Sequence, residues 1–189
     1  MSQARELATF ASGDFPHGAT ISGQTGAGHI LQVQAIAKTD TFSTTIAAGA
    51  VADITDMTLK LTPVSSSNKI LIMTMINGGT NLGGRESSIA IRLQRDSSNI
   101  AMPTGTTSNR PASWLAVDIN GAINDTSQGT AFGMFFDSPS TTSEIVYKLQ
   151  FLNGFSSSVE FYLNRCQSDS DDPFRNRTIS TMTIMEVQG

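Results

Sequence analysis

The stretch KILIMTMIN, residues 69–77, constrains the fold more than any other part of this sequence. Both of its faces are apolar, with Ile70, Ile72 and Ile76 at even positions and Leu71, Met73 and Met75 at odd positions. A strand with one face in water should alternate apolar and polar side chains. The run is also far shorter than the roughly 18 apolar residues of a membrane helix. Protein must therefore cover its second face.

Strand and turn signals continue along the chain from residue 30 onward. Ser, Thr, Asn and Gly turns separate the apolar runs, and no long helical pattern interrupts them. Nine or ten strands are predicted, within residues 30–37, 41–46, 51–63, 69–77, 88–96, 114–119, 129–137, 144–152, 158–165 and 178–187. Their spacing of about 8–15 residues is typical of antiparallel sandwiches. We expect residues 30–189 to form an all-β domain, an antiparallel β-sandwich of the jelly-roll type.

Two more strands are apolar on both sides. GTAFGMFFD has Phe132, Met134 and Phe136 on one face and Phe135 on the second, and the last strand adds Met182 and Ile184. A two-layer sandwich buries only inner faces, and exposed apolar rows promote aggregation. We therefore predict an interface between subunits, with a loop folded over a curved strand as the alternative. The predicted interface residues are Leu71, Met73, Met75, Phe135, Met182 and Ile184.

Composition narrows the possible functions. The net charge is -4, only 15% of residues are charged, and no run of Lys or Arg provides a nucleic-acid surface. The single cysteine, Cys166, rules out an internal disulfide and is expected to be a buried thiol. The first ten residues lack the apolar core of a signal peptide. We expect a soluble chain without membrane insertion.

Residues 1–29 differ from the rest of the chain. They are Gly-rich and irregular, and such a segment cannot bury enough surface to fold alone. Four apolar side chains could anchor it on another protein: Leu7, Phe10, Phe15 and Ile21. We therefore interpret this segment as a docking arm, with a flexible tail as the alternative.

Candidate catalytic and metal-binding residues are few. Both histidines, His17 and His29, lie in the arm, away from a folded nucleophile. Asp169, Asp171 and Asp172 form the one dense acidic cluster and are a weak candidate for Ca²⁺ binding. Ion pairing with the neighbouring arginines at 165, 175 and 177 is the simpler interpretation. We predict no enzymatic activity and no cofactor.

Receptor contacts, if the protein makes any, should lie in the long loops at residues 78–87, 102–111 and 166–177. The candidate residues are Asn81, Arg85, Thr106, Asn109 and Arg110. Such polar groups bind sugars, although any exposed loop contains them. Trp114 could stack on a sugar, but its apolar neighbours favour a place in the core.

Much of the chain resembles the globular domain of bacteriophage tail-fibre and virion-fibre proteins, which is frequent in phages of marine bacteria and cyanobacteria. The resemblance covers about residues 30–187. The stretches that carry it are ILQVQAIAKTDTFSTT, MTLKLTPVSSSNKILIMTMINGG, IAIRLQRDSSNIA, FFDSPSTTSEIVYKLQ and NRCQSDSDDPFRNRTISTMTIMEV. Its most specific parts are the turn DSPSTTS, residues 137–143, and the closing R-x-x-S-T-M-T-I-M-E-V strand.

This resemblance implies a homotrimeric jelly roll similar to tumour-necrosis-factor and complement-type head domains, in which strands near the threefold axis are apolar on both faces. It implies a virion protein made in the host cytoplasm, attached to another virion protein through residues 1–29. Its loops would contact a host-surface glycan or protein. Because only about 29 residues precede the domain, a capsid decoration or head-fibre protein without receptor binding is the alternative.

Overall fold

The structure is a computed structural model that describes residues 28–82, 88–105, 110–118 and 126–189. These ranges contain no helix and form two antiparallel sheets packed face to face, so the predicted all-β sandwich is confirmed. The strands are β1 (Ile30–Lys38), β2 (Phe42–Ile46), β3 (Val51–Leu61), β4 (Lys69–Thr80), β5 (Ser88–Arg95), β6 (Ser98–Ile100), β7 (Leu115–Asp118), β8 (Gly129–Asp137), β9 (Ile145–Leu152), β10 (Val159–Leu163) and β11 (Ser180–Val187).

The strand β4 organises the first sheet, sheet A. Along one edge β4 pairs with β8. Along its other edge it pairs first with β11 and, nearer its C-terminal end, with β10. The strands β1 and β2 extend the sheet beyond β11 and β10. Sheet B has β9 between β3 and β5, and β5 also pairs with β6 and β7. The short strand β6 was not predicted, since three residues are too few for a periodic signal.

The core lies between the inner faces of the two sheets, where the predicted alternation is confirmed. The isoleucines of KILIMTMIN face it from sheet A, and four residues of β9 face it from sheet B: Ile145, Tyr147, Leu149 and Phe151. The rings of Phe151 and Phe161 stack with centroids 5.2 Å apart across the sandwich. Burial of this apolar surface is the main stabilising contribution to the fold.

A buried polar group joins the two sheets at one end of the sandwich. Asp137, at the end of β8, accepts hydrogen bonds from the Tyr147 hydroxyl at 2.7 Å and from Arg95 Nη1 at 2.9 Å. Burial and the hydrogen bond to Asp137 raise the pKa of the Tyr147 phenol. The first residue of the DSPSTTS turn therefore has a structural role, because it satisfies two donors from sheet B.

A second buried carboxylate lies on the inner side of sheet A. Glu186 of β11 is fully buried and accepts hydrogen bonds from Gln32, from Asn68 and from the backbone N–H of Val64. Burial alone would raise the pKa of Glu186, but these hydrogen bonds outweigh it and hold the pKa below its usual value. They therefore fasten the loop after β3 to the last strand.

Candidate subunit interface

The outer face of sheet A carries three rows of side chains across four neighbouring strands. From β8 through β4 and β11 to β1, the ladder aligns Phe132–Met75–Thr181–Ala37, Met134–Met73–Thr183–Ala35 and Phe136–Leu71–Met185–Val33. We call these twelve residues the apolar grid. Ten of them are apolar, two are threonine and none is charged. Every one of them is exposed or half-buried in the single chain.

Side-chain size changes steadily across the apolar grid. The β8 column consists of two phenylalanines and a methionine, which are 50–61% exposed. The β1 column consists of two alanines and a valine, and the threonines of β11 lie beside it. The grid therefore has a bulky, projecting side at β8 and a low, flat side at β1.

The bulky side lies at a sheet edge. Within the described ranges, β8 pairs with β4 alone, and none of its residues before Asp137 is charged or proline. Edge strands that remain in water are commonly protected by lysine, proline or a bulge. The strand β8 contains neither lysine nor proline, and its pairing with β4 is regular, without a bulge. Its edge and its outer face both suit a covered position.

Three of the six predicted interface residues lie on this face, and three do not. Leu71, Met73 and Met75 belong to the apolar grid. Met182 and Ile184 are fully buried in the core, and Phe135 packs against it. Placing these three on the outer face was wrong. The outward residues of their strands are Phe132, Met134, Phe136 and Met185.

The physical reason for this reversal is visible at Gly133. A Cβ atom at this position would lie within 3 Å of the Leu115 and Trp114 side chains. Glycine lets β8 approach these two residues on the inner side, and this places Phe132 and Met134 outside. The small residues Ala131 and Gly133 were the available sequence signal, since they mark the crowded face of the strand. Trp114 packs against the core, as its apolar neighbours predicted.

Two of the predicted receptor-contact residues lie within the described structure. The Oδ1 atom of Asn81 accepts from the Glu160 N–H at 2.9 Å, and the Asn81 N–H donates to the Glu160 carbonyl at 3.1 Å, so Asn81 also holds β10 in place. Arg110 is exposed. Arg85, Thr106 and Asn109 lie outside the described residues, and the structure does not bring Asn81 and Arg110 into one site.

The acidic loop is held by ion pairs. Arg177 binds both carboxylate oxygens of Asp169, at 3.0 and 2.8 Å, and Arg175 contacts Asp172 at 2.9 Å. The described residues contain no group of three or more ligands arranged to hold a metal. Cys166, just before this loop, is buried as predicted. The predicted docking residues Leu7, Phe10, Phe15 and Ile21 lie outside the described residues.

Comparison with known protein families and with curated protein sequences gave no match. In the described part of the chain there is no helix of the length and apolar character needed to cross a membrane. The apolar grid is therefore the feature of the described structure from which a function can be proposed.

Proposed function

We propose that this chain is a bacteriophage virion structural protein, a fibre knob that assembles as a homotrimer through the apolar grid. Residues 1–29 attach the knob to another virion protein, and its exposed loops contact the host surface. The antiparallel two-sheet sandwich is compatible with the jelly roll of the phage fibre domains that the sequence resembles. The observation that carries the proposal is the apolar outer face of sheet A.

The composition of the apolar grid supports further copies of this chain as its cover. Three neighbouring columns, on β8, β4 and β11, present Phe, Met, Leu and Thr without a charge. Covering a Phe, Leu or Met side chain fully contributes roughly 1.5–3 kcal/mol each. The side chains of the β8 column are still at least half exposed in the single chain, so about half of this gain remains for assembly.

The size gradient supports a contact in which the bulky side of one grid meets the low side of another, as a ring allows. The bulky β8 side of one protomer fits against the low β1 side of the next, and a head-to-tail contact of this kind closes into a ring when the rotation permits. A twofold pair whose axis runs along the strands would also set β8 of one protomer against β1 of the other, so the molar mass has to distinguish the ring from the pair. The number three comes from the resemblance to fibre domains.

The molar mass in solution tests the assembly directly. Light scattering on the purified full-length chain should give about three times the 20.1 kDa chain mass, unchanged on tenfold dilution. A value of 20.1 kDa would mean that the chain, including residues 1–27, covers its own grid, and would overturn the trimer.

A second experiment separates the fibre knob from a capsid decoration protein that does not bind the host. Labelled protein is added to host cells and, separately, to virions or empty capsids that lack it. A fibre knob should bind cells through its loops, so Arg110→Ala should weaken cell binding while deletion of residues 1–25 should not. Attachment to capsids without cell binding would favour the decoration protein.

A further inference from the structure

A cleft on sheet B, away from the apolar grid, combines two arginines with apolar walls. It has a volume of about 460 Å³, within the roughly 300–1,000 Å³ of small-ligand sites. Its walls come from the turn before β3 at Gly49, from residues 110–111 and from the loop after β9. These three segments are distant in sequence, so only the fold brings them together.

Arg92 and Arg110 give the cleft its charge. Arg92 projects from β5, and its Nε donates to the Ala112 carbonyl at 3.1 Å, which orients the guanidinium and leaves its other N–H groups for further bonds. No carboxylate in the described ranges forms an ion pair with either arginine. Two guanidinium groups without an ion-pair partner among the described residues therefore line one cleft of a chain whose net charge is -4.

The apolar part of the cleft adjoins this charge. A smaller hollow of about 200 Å³ shares Pro111, Leu152, Gly154 and Phe155 with the larger one and adds Ala90. The Phe155 ring and Pro111 offer an apolar surface for the C–H face of a sugar ring. The neighbouring N–H donors offer a polar surface for its hydroxyl and charged groups. Asn153 and Ser156 also line the cleft.

Hydrogen bonds and close packing hold one wall of the cleft, the loop after β9, in place. The fully buried Asn153 donates through Nδ2 to the carbonyls of Ile46 and Ser157, each at 2.8 Å, and accepts from the Phe155 N–H at 2.9 Å. Pro111 approaches Gly154 so closely that a Cβ at residue 154 would lie 2.8 Å from Pro111 Cγ. A rigid wall reduces the entropy that binding would cost.

We propose that this cleft binds an acidic sugar, with the anionic group on Arg92 and Arg110 and the ring against Phe155 and Pro111. Planar guanidinium groups bind carboxylates and sulfates through paired hydrogen bonds. The inference deepens the host-contacting part of the proposed function and rests on it for biological meaning, although the binding itself does not depend on trimer formation.

Titration calorimetry on the full-length protein at low salt tests this inference. The probes are glucuronate, glucose 6-sulfate and neutral glucose. The two acids should bind and glucose should not, and comparing the acids identifies the preferred anionic group. Arg110→Ala should weaken binding about tenfold or more, since it removes hydrogen bonds to a charged group. Arg110→Lys keeps the charge but not the planar pair of donors, so its affinity should lie between those of the wild type and Arg110→Ala.

Arg177→Ala is the matched control, because it removes an exposed arginine that pairs with Asp169 on a different loop. It should leave the affinity unchanged. The cleft assignment would be overturned if glucose bound as tightly as the acids or if neither acid bound. It would also be overturned if Arg110→Ala left the affinity unchanged or if Arg177→Ala lowered it equally. Molar mass is measured on the same samples. A trimer that binds neither acid refutes only the cleft, and a monomer that binds one refutes only the assembly.

Discussion

The outer faces of the two sheets differ sharply, although both belong to one sandwich. Sheet B presents charged and amide groups that pair across strands, with Lys148 Nζ 2.9 Å from Asp53 and Lys60 Nζ 3.2 Å from Glu144. Sheet A presents the apolar grid. Sheet B thus has the alternation of a face in water, whereas sheet A has two apolar sides. The difference teaches that one sandwich can keep alternation on one sheet and lose it on the other, and the proposed assembly would account for the loss on sheet A.

The largest effect is expected from a charge on the inner face of sheet A. Ile184→Asp places a carboxylate in the core at a fully buried position. An unpaired buried charge costs about 3–5 kcal/mol, so the domain should be largely unfolded, as measured by chemical denaturation. Thr183→Asp, one residue away on the outer face, is the matched control and should remain folded. Equal destabilisation by both variants would contradict the assignment of the two faces.

Assembly should be lost when the charge lies on the outer face. Met134→Lys places an ammonium group in the middle row of the apolar grid, on its bulky β8 side, where a neighbouring protomer would have to bury it. We expect a monomer by light scattering whose own free energy of unfolding changes by about 0.5 kcal/mol or less. The control Thr58→Lys, at an exposed position of β3 in sheet B, should keep the wild-type mass. A trimer in Met134→Lys would show that the grid is not the interface.

A smaller, pH-dependent effect is expected at Glu186, the buried charge on the inner side of β11. The folded-state pKa of Glu186 lies below the ordinary value of 4.5, so its contribution to the free energy of unfolding is complete above that pH. The contribution is lost as pH falls through the folded-state pKa. Urea unfolding of Glu186→Gln should show a loss of about 1–3 kcal/mol at pH 7 and a shallower decline than wild type below pH 4.5. Parallel pH profiles for the two proteins would contradict this account.

The smallest effect is expected on the outer face of sheet B. Lys60 and Glu144 are more than half exposed, and such pairs contribute about 0–1 kcal/mol. Lys60→Ala should therefore change the unfolding free energy by less than about 0.5 kcal/mol and leave the molar mass unchanged. A change in mass would indicate that sheet B also takes part in assembly, and the contrast between the two sheets would fail.

The inward faces of several strands could be predicted because alternation with period two is local. Ile89, Ile91 and Leu93, for example, are all fully buried as predicted. Which face of β8 points inward could not be predicted from apolar residues alone, since Phe135 and Phe136 are equally apolar. Its direction depends on Trp114 and Leu115, which lie against Gly133 from another sheet.

The candidate sites also divide into contacts that the sequence predicts and contacts that depend on the tertiary structure. Within the acidic loop, the ion pairs of Asp169 with Arg177 and Asp172 with Arg175 were accessible from sequence because their partners are eight and three residues apart. The arginine cleft was not accessible. Arg110 was predicted as a loop contact, but Arg92 and Phe155 meet it only through strand pairing and loop packing.

The sequence by itself determined the class of fold, the strand-rich chain and the unusual two-sided character of KILIMTMIN. These properties depend on residues two to ten apart, which share a strand or a turn whatever the rest of the chain does. Only the tertiary structure decided which side of β8 faces outward, that three rows align across four strands, and that two arginines line one cleft. These depend on strand register and close packing between residues far apart in sequence, which local periodicity does not encode.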